Sequence, residues 1–288
     1  MAIRPVFLTL EREPFYQVWN CEFVYNGGFA TVQKQKNIIA IHKAYTERFE
    51  GKKILEISSK SLQSEGVELS AFNLKKYVPE LDKCVPVECV YQGGKCFDKG
   101  GPYTDLYLVG PRDAKRDERL SGAIVGFWFD GVRYPSQPLN AFYDFIYINA
   151  CLENADLMEK LLEYDAFTDI EFSPSKSVNC QARAAAILVS LARADRLDVA
   201  RDFDRFSALF GITPSSVVKP SVSVMDEKPV EEKKPEVVFD VGDTVIHKLF
   251  GRGEVTAVNG TALTIEFPSG VKLLQALWVS ENCKVEKK

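Results

Sequence analysis

VPVECVYQGGKCF, Val85 to Phe97, sets a carboxylate, a phenol, an amide and an ammonium among apolar residues. Glu88, Tyr91, Gln92 and Lys95 fall at i, i+3, i+4 and i+7, the spacing that predicts one stripe along an α-helix. Gly93 and Gly94 lie in the same turn, although each costs about 1 kcal/mol against alanine inside a helix. Without β-carbons they would let a substrate or a neighbouring strand come close. An ordinary surface helix can carry the same charge spacing. The apolar flanks Val85, Val87, Val90, Cys96 and Phe97 weigh against that reading.

The chain has 288 residues, 46% of them hydrophobic and 26% charged, as expected of a soluble globular protein of one or two domains. A net charge of −4 gives no global pull toward nucleic acid, so polyanion binding would need a local patch. No apolar run is long enough to span a bilayer, and MAIRPVFLTLEREP lacks the pattern of a signal peptide. Seven scattered cysteines suit reduced thiols in a cytoplasmic protein better than a disulfide framework. The two histidines, His42 and His247, have no neighbouring ligand set, which leaves little for a zinc site or a Ser-His-Asp triad. No metal or cofactor is expected, and chemistry falls to carboxylates, lysines, amides and backbone.

Asn37 to Arg48 reads as a helix, KILEISS as a buried strand, and GFWFDGVRYP as a hairpin turning at Asp130-Gly131. LNAFYDFIYINACLEN and the run from Val178 to Gly211 read as apolar helices, the latter capped by Ser177 or Asn179. Helices outnumber strands and regular crossovers are missing, so the class is α+β: a mainly helical domain over 1–213 with a small sheet. Residues 214–237, rich in proline and charge, read as a flexible linker. Residues 238–288 switch to short β-rich runs, with Asn259-Gly260 as a hairpin signal, and predict a small barrel. VGDTVIHKLFGRGEV, TIEF and GVKLL make this tail similar to the Tudor-like, SH3-like module of UvrD-type helicases. It holds six acidic residues against six Lys or Arg from Phe239 onward, which favours docking to a protein partner over DNA.

Three other stretches bear on chemistry. LSAFNL, Leu69 to Leu74, offers Asn73 either to a ligand or to its own backbone turn. GPRDAKRDERLSG clusters Arg112, Lys115, Arg116 and Arg119, a solvated face unless phosphates lie nearby. FTDIEFSPSKSVNCQARAAA sets Asp169 and Glu171 before a helix start where free N–H groups either are simply capped or hold a phosphate. GGFATVQKQK has glycines and lysines without P-loop spacing.

With GGPYTDL, AKRDERL and LNAFYDFIY, these motifs in order resemble the NADAR (NAD- and ADP-ribose-associated) family. The resemblance covers nearly all of residues 1–213 and is closest to the subgroup that counters DarT-type DNA ADP-ribosyltransferase toxins. Cys89 and Gly93-Gly94 depart from the wider family, which suggests a pocket opened for a bulkier substrate.

The resemblance implies an N-glycosidase that removes ADP-ribose from guanine in DNA, the antitoxin of a toxin–antitoxin pair. Alternatives are a glycosidase on free nucleotide-like metabolites, and a non-catalytic ADP-ribose reader or toxin blocker. Glu88 would offset oxocarbenium charge, and Lys95 would act as acid or nucleophile. Gln92 and Asn73 would hold ribose hydroxyls. Lys115, Arg116 and the Asn179 helix start would take the pyrophosphate, with Ser70, Asp169 and Glu171 completing the ligand set. The base would be single-stranded or flipped, with Tyr91, Trp128 or Tyr103 to stack on it; Trp128 could instead be core.

Overall fold

A computed structural model describes residues 1–138, 140–173, 179–209, 239–247, 251–259, 262–268, 270–275, 279 and 283–287. The expected linker, the candidate cap Ser177, Phe250 and the turn residue Gly260 lie outside these residues. The chain divides into two compact units, Met1–Ser221 and Val222–Lys288.

The first unit runs β1 (Ala2–Thr9), β2 (Tyr16–Phe23), α1 (Thr31–Arg48), β3 (Ile54–Glu56), α2 (Ser64–Glu68), β4 (Lys75–Val78), β5 (Lys83–Pro86), α3 (Val87–Gly93) and β6 (Lys95–Phe97). It continues with α4 (Pro111–Arg116), β7 (Ile124–Phe129), β8 (Val132–Tyr134), α5 (Ala141–Leu152), α6 (Ala155–Leu161), β9 (Ala166–Thr168), α7 (Gln181–Arg193) and α8 (Phe203–Ala208). Strands form three sheets, ordered β2-β1-β9-β3, β4-β5 and β6-β7-β8. Among the described residues only the β3–β9 pair is parallel.

Among the described residues of this unit nine strands stand beside eight α-helices and three short 3-10 helices, and the strands fall into three sheets rather than the one small sheet expected. The hairpin β1–β2 is the main addition. Pro5 in β1 and the polar positions of β2 mute its alternation. Beyond β1, the β9 ladder touches only Phe7 and Leu8, so on that side Pro5 has no ladder partner and its missing N–H is tolerated. Helix α1 starts at Thr31, six residues before the expected Asn37, and takes in all of VQKQK. Its buried Ile38, Ile41 and Tyr45 follow the helical period and pack on Val6, Cys21 and Phe23 of the hairpin.

The hairpin β7–β8 forms as expected. Asp130 and Gly131 at its turn have φ of 50° and 72°, the positive values a two-residue turn of this hand needs. Helices α5 and α7 are apolar nearly all round and buried at the centre of the unit. Between them Arg183 donates through Nη2 to both oxygens of Asp144, at 3.1 and 2.9 Å, with both residues buried. The N-cap of α7 is Cys180, not Asn179. No helix among the described residues is long and apolar enough to cross a membrane, and all seven cysteines are free.

The second unit is an antiparallel sheet of β10 (Thr244–His247), β11 (Gly251–Asn259), β12 (Ala262–Phe267), β13 (Gly270–Gln275) and β14 (Lys284–Glu286), ordered β13-β12-β11-β10-β14. Val245, Val255, Leu263, Ile265, Phe267 and Leu274 form its core. Gly253 is obligatory, because a Cβ there would stand 2.5 Å from the Phe267 ring. Buried Asp243 accepts at Oδ2 from the Asp240 amide at 2.8 Å and from Lys287 at 2.7 Å.

Candidate functional site

Helix α3 starts against the LSAFNL turn. The Val87 amide donates to the Leu74 carbonyl and the Glu88 amide to the Ala71 carbonyl, both at 2.9 Å, so the turn satisfies N–H groups the first helical turn leaves open. The helix ends at Gly93. Lys95 therefore is not on the helical stripe; it opens β6 opposite Phe127. The reason lies in the glycines. A Cβ on Gly93 would meet the Tyr107 ring at 2.5 Å, and one on Gly94 the Trp128 carbonyl oxygen at 2.5 Å. They admit neighbouring protein, not a bulky substrate. Cys89 likewise is buried and points its thiol at the Val109 carbonyl, 3.4 Å away.

The polar groups nonetheless converge on one cavity of about 710 Å³, lined by all of the expected site residues except Asn73. Glu88 and Gln92 are each 6% exposed. Gln92 donates through Nε2 to Glu88 Oε1 at 2.9 Å and accepts from Lys95 Nζ at 2.6 Å. One amide thus joins the acid and the amine. Lys115 approaches Glu88 Oε1 at 3.6 Å from the cavity mouth. Burial lowers the Lys95 amine to about 8, helped by Lys115 and opposed by Glu88. Its ammonium also lies 4.5 Å from the centre of the Tyr91 ring.

Tyr91 is part of the wall. Its ring meets Tyr143 edge-on at 5.2 Å, and burial pushes its phenol up to about 12 despite the hydrogen bond with Asn179. Neither other stacking candidate lines the cavity. Arg119 covers the Tyr103 ring at 4.7 Å, and Trp128 is half-buried and hydrogen-bonded to Glu80. Arg119 is held by Asp105 and Asp117 at 2.7 and 2.8 Å, so the basic cluster splits. Arg112, Lys115 and Arg116 remain on the cavity.

Asn73 serves its own turn. Its Nδ2 donates to the Val67 carbonyl at 2.9 Å and to Ser70 Oγ at 3.0 Å, away from the cavity that Ser70 lines. Asp169 is a scaffold. Oδ1 accepts from the Glu171 and Phe172 amides at 3.0 and 3.1 Å, while Oδ2 accepts from Gln181 Nε2 at 3.0 Å. Gln181 also donates to the Ile57 carbonyl at 3.2 Å and accepts from the Ala71 amide. Burial raises both Asp169 and fully buried Glu56 above the usual carboxylate range, with Glu171 adding repulsion on Asp169 and Asp169 on Glu56. Glu171 is engaged by Lys34, whose Nζ lies 2.6 Å from both its oxygens.

A family model described as DarT1-associated NADAR antitoxin matches residues 2–218, the stretch that builds this cavity. The chain belongs to that family. No curated protein matches it. In this NADAR antitoxin, sequence reasoning missed Lys34, Ser58, Lys60, Phe72, Tyr143 and Gln181 as lining residues. Ser58 and Lys60 follow the C-terminal end of β3, a position that could have flagged them. Tyr143 was hidden in an apolar helix, and Gln181 stood unremarked beside the expected cap.

Proposed function

We propose that this NADAR antitoxin is an N-glycosidase that releases ADP-ribose from guanine in DNA and so reverses the modification its toxin makes. What carries the reading is the Glu88–Gln92–Lys95 chain in the wall of a roomy, cation-rimmed cavity. Volumes of about 300–1,000 Å³ are usual for small-molecule sites. Breaking the C1–N bond builds oxocarbenium character at C1, and a dehydrated carboxylate offsets it and orients the attacking water. Water gives its hydroxyl to C1 and its proton to the Glu88 carboxylate, and the guanine leaves with a proton from the amine. The proton on Glu88 then returns to that amine through solvent.

Lys95 supplies the guanine's proton. An amine lowered to about 8 is mainly ammonium at neutral pH yet gives up its proton far more readily than an ordinary lysine. Gln92 holds acid and amine at fixed separation and retains one N–H and one lone pair for a ribose hydroxyl. Arg112 and Arg116 suit the pyrophosphate because guanidinium forks match its oxygens, and Lys115 adds an ammonium beside them. The domain would be 1–213, followed by a linker over 214–237 and an SH3-like, Tudor-like module over 238–288 that docks a protein partner.

The test is release of free ADP-ribose from an oligonucleotide ADP-ribosylated on guanine. Glu88→Gln preserves shape and removes charge. Undiminished turnover by that variant would remove Glu88 from the chemistry, and binding without turnover by the wild type would make the protein a reader. Borohydride trapping of a protein–sugar adduct through Lys95 would replace the acid role with a nucleophilic one.

A further inference from the structure

We infer that the Gly27–Phe29 loop between β2 and α1 is a nucleobase-stacking finger that holds single-stranded DNA beside the cavity. This rests on the glycosidase reading and extends it from the modified nucleotide to its neighbours. Phe29 is 98% exposed, and Val24, Tyr25 and Val32 around it are 68%, 52% and 60% exposed. Such a concentration of bare apolar surface marks a contact site.

The finger is built, not frayed. At its root, buried Asn37 accepts from the Asn26 amide at 2.7 Å and donates to the Asn26 carbonyl at 3.0 Å. On the other side the Ala30 carbonyl accepts from the Gln33 and Lys34 amides at 3.0 and 3.2 Å. Gly28 supplies the turn at φ 115°, where a side chain would be strained. Phe29 is thereby held out just ahead of the N-cap Ala30, five residues before Lys34, which lines the cavity.

Charge selects the partner. Lys34, Lys60, Lys95, Arg112, Lys115 and Arg116 line the cavity against the acids Glu88, Asp169 and Glu171, in a chain whose net charge is −4. An aromatic tip beside a cationic track is the arrangement that binds single strands, since every base offers a π-face while phosphates follow the cations. An acidic or apolar protein surface would leave that combination half used.

Binding of a fluorescent, unmodified 12-nucleotide single strand to the full chain at low salt reads the finger independently of turnover. Phe29→Ala is expected to weaken it about tenfold, and Phe29→Trp to retain it, with unchanged melting temperatures. On the modified oligonucleotide, Phe29→Ala should raise KM and spare kcat, and on an ADP-ribosylated nucleoside it should change neither. Equal binding of the strand by wild type and Phe29→Ala overturns the finger and leaves the glycosidase reading intact if turnover persists. Loss of strand binding in Phe29→Ala, when the wild type shows no turnover, supports the finger and sinks the glycosidase reading. Loss of toxin binding with strand binding unaltered assigns the patch to a protein and overturns the proposal.

Discussion

The wall and the mouth of the cavity are polar in different ways. On the wall, Glu88, Gln92 and Lys95 are fixed to one another, with Glu88 and Gln92 buried. At the mouth, Arg112, Lys115 and Arg116 of α4 are exposed, and Lys115 reaches Glu88 only at 3.6 Å. Dehydrated charges in fixed positions act on a developing transition state without reorganising, whereas solvated cations attract an anion and adapt to it. The wall is suited to rate and the mouth to capture.

That contrast breaks if the two regions respond alike to substitution. The largest expected loss is in kcat for Glu88→Gln, about 10²–10⁴-fold with KM little changed, measured by ADP-ribose release. Lys95→Met should cost about 10²-fold in kcat. In the wild type kcat should fall as pH rises through about 8, because the ammonium that protonates the base is lost there; a rise over that interval would identify the free amine as the active form. Arg116→Ala should raise KM about tenfold, spare kcat, and flatten the salt dependence of KM.

A thermal measurement sharpens the comparison from behind the wall. Buried Glu56 and its neighbour Asp169 hold protons more tightly folded than unfolded. The unfolded chain therefore binds fewer protons above the ordinary carboxylate range, and stability should fall as pH rises from there through neutrality. Glu56→Gln should flatten that fall in melting temperature. The smallest effect belongs to Asn73→Ala, less than about twofold in kcat/KM, since an exposed amide serving its own turn contributes little.

Sequence spacing brought Glu88, Gln92 and Lys95 together but assigned the last to the wrong element. Local periodicity cannot see Tyr107 and Trp128, the distant residues that make Gly93 and Gly94 the end of α3. The basic cluster was legible as composition, while its division depended on Asp105 and Asp117 claiming Arg119. Hairpins with positive φ at Asp-Gly announce themselves, and a proline-bearing strand such as β1 does not. Gln181 was beyond reach, because its partners Ile57, Ala71 and Asp169 meet only once the chain has folded.

The Asp144–Arg183 pair between α5 and α7 carries a consequence for descent. Losing either partner alone strands a charge in the interior at a cost of about 3–5 kcal/mol, whereas exchanging both for apolar residues of similar size is often neutral or better. Descendants of this chain should keep both members or neither, with the one-sided forms too short-lived to be sampled.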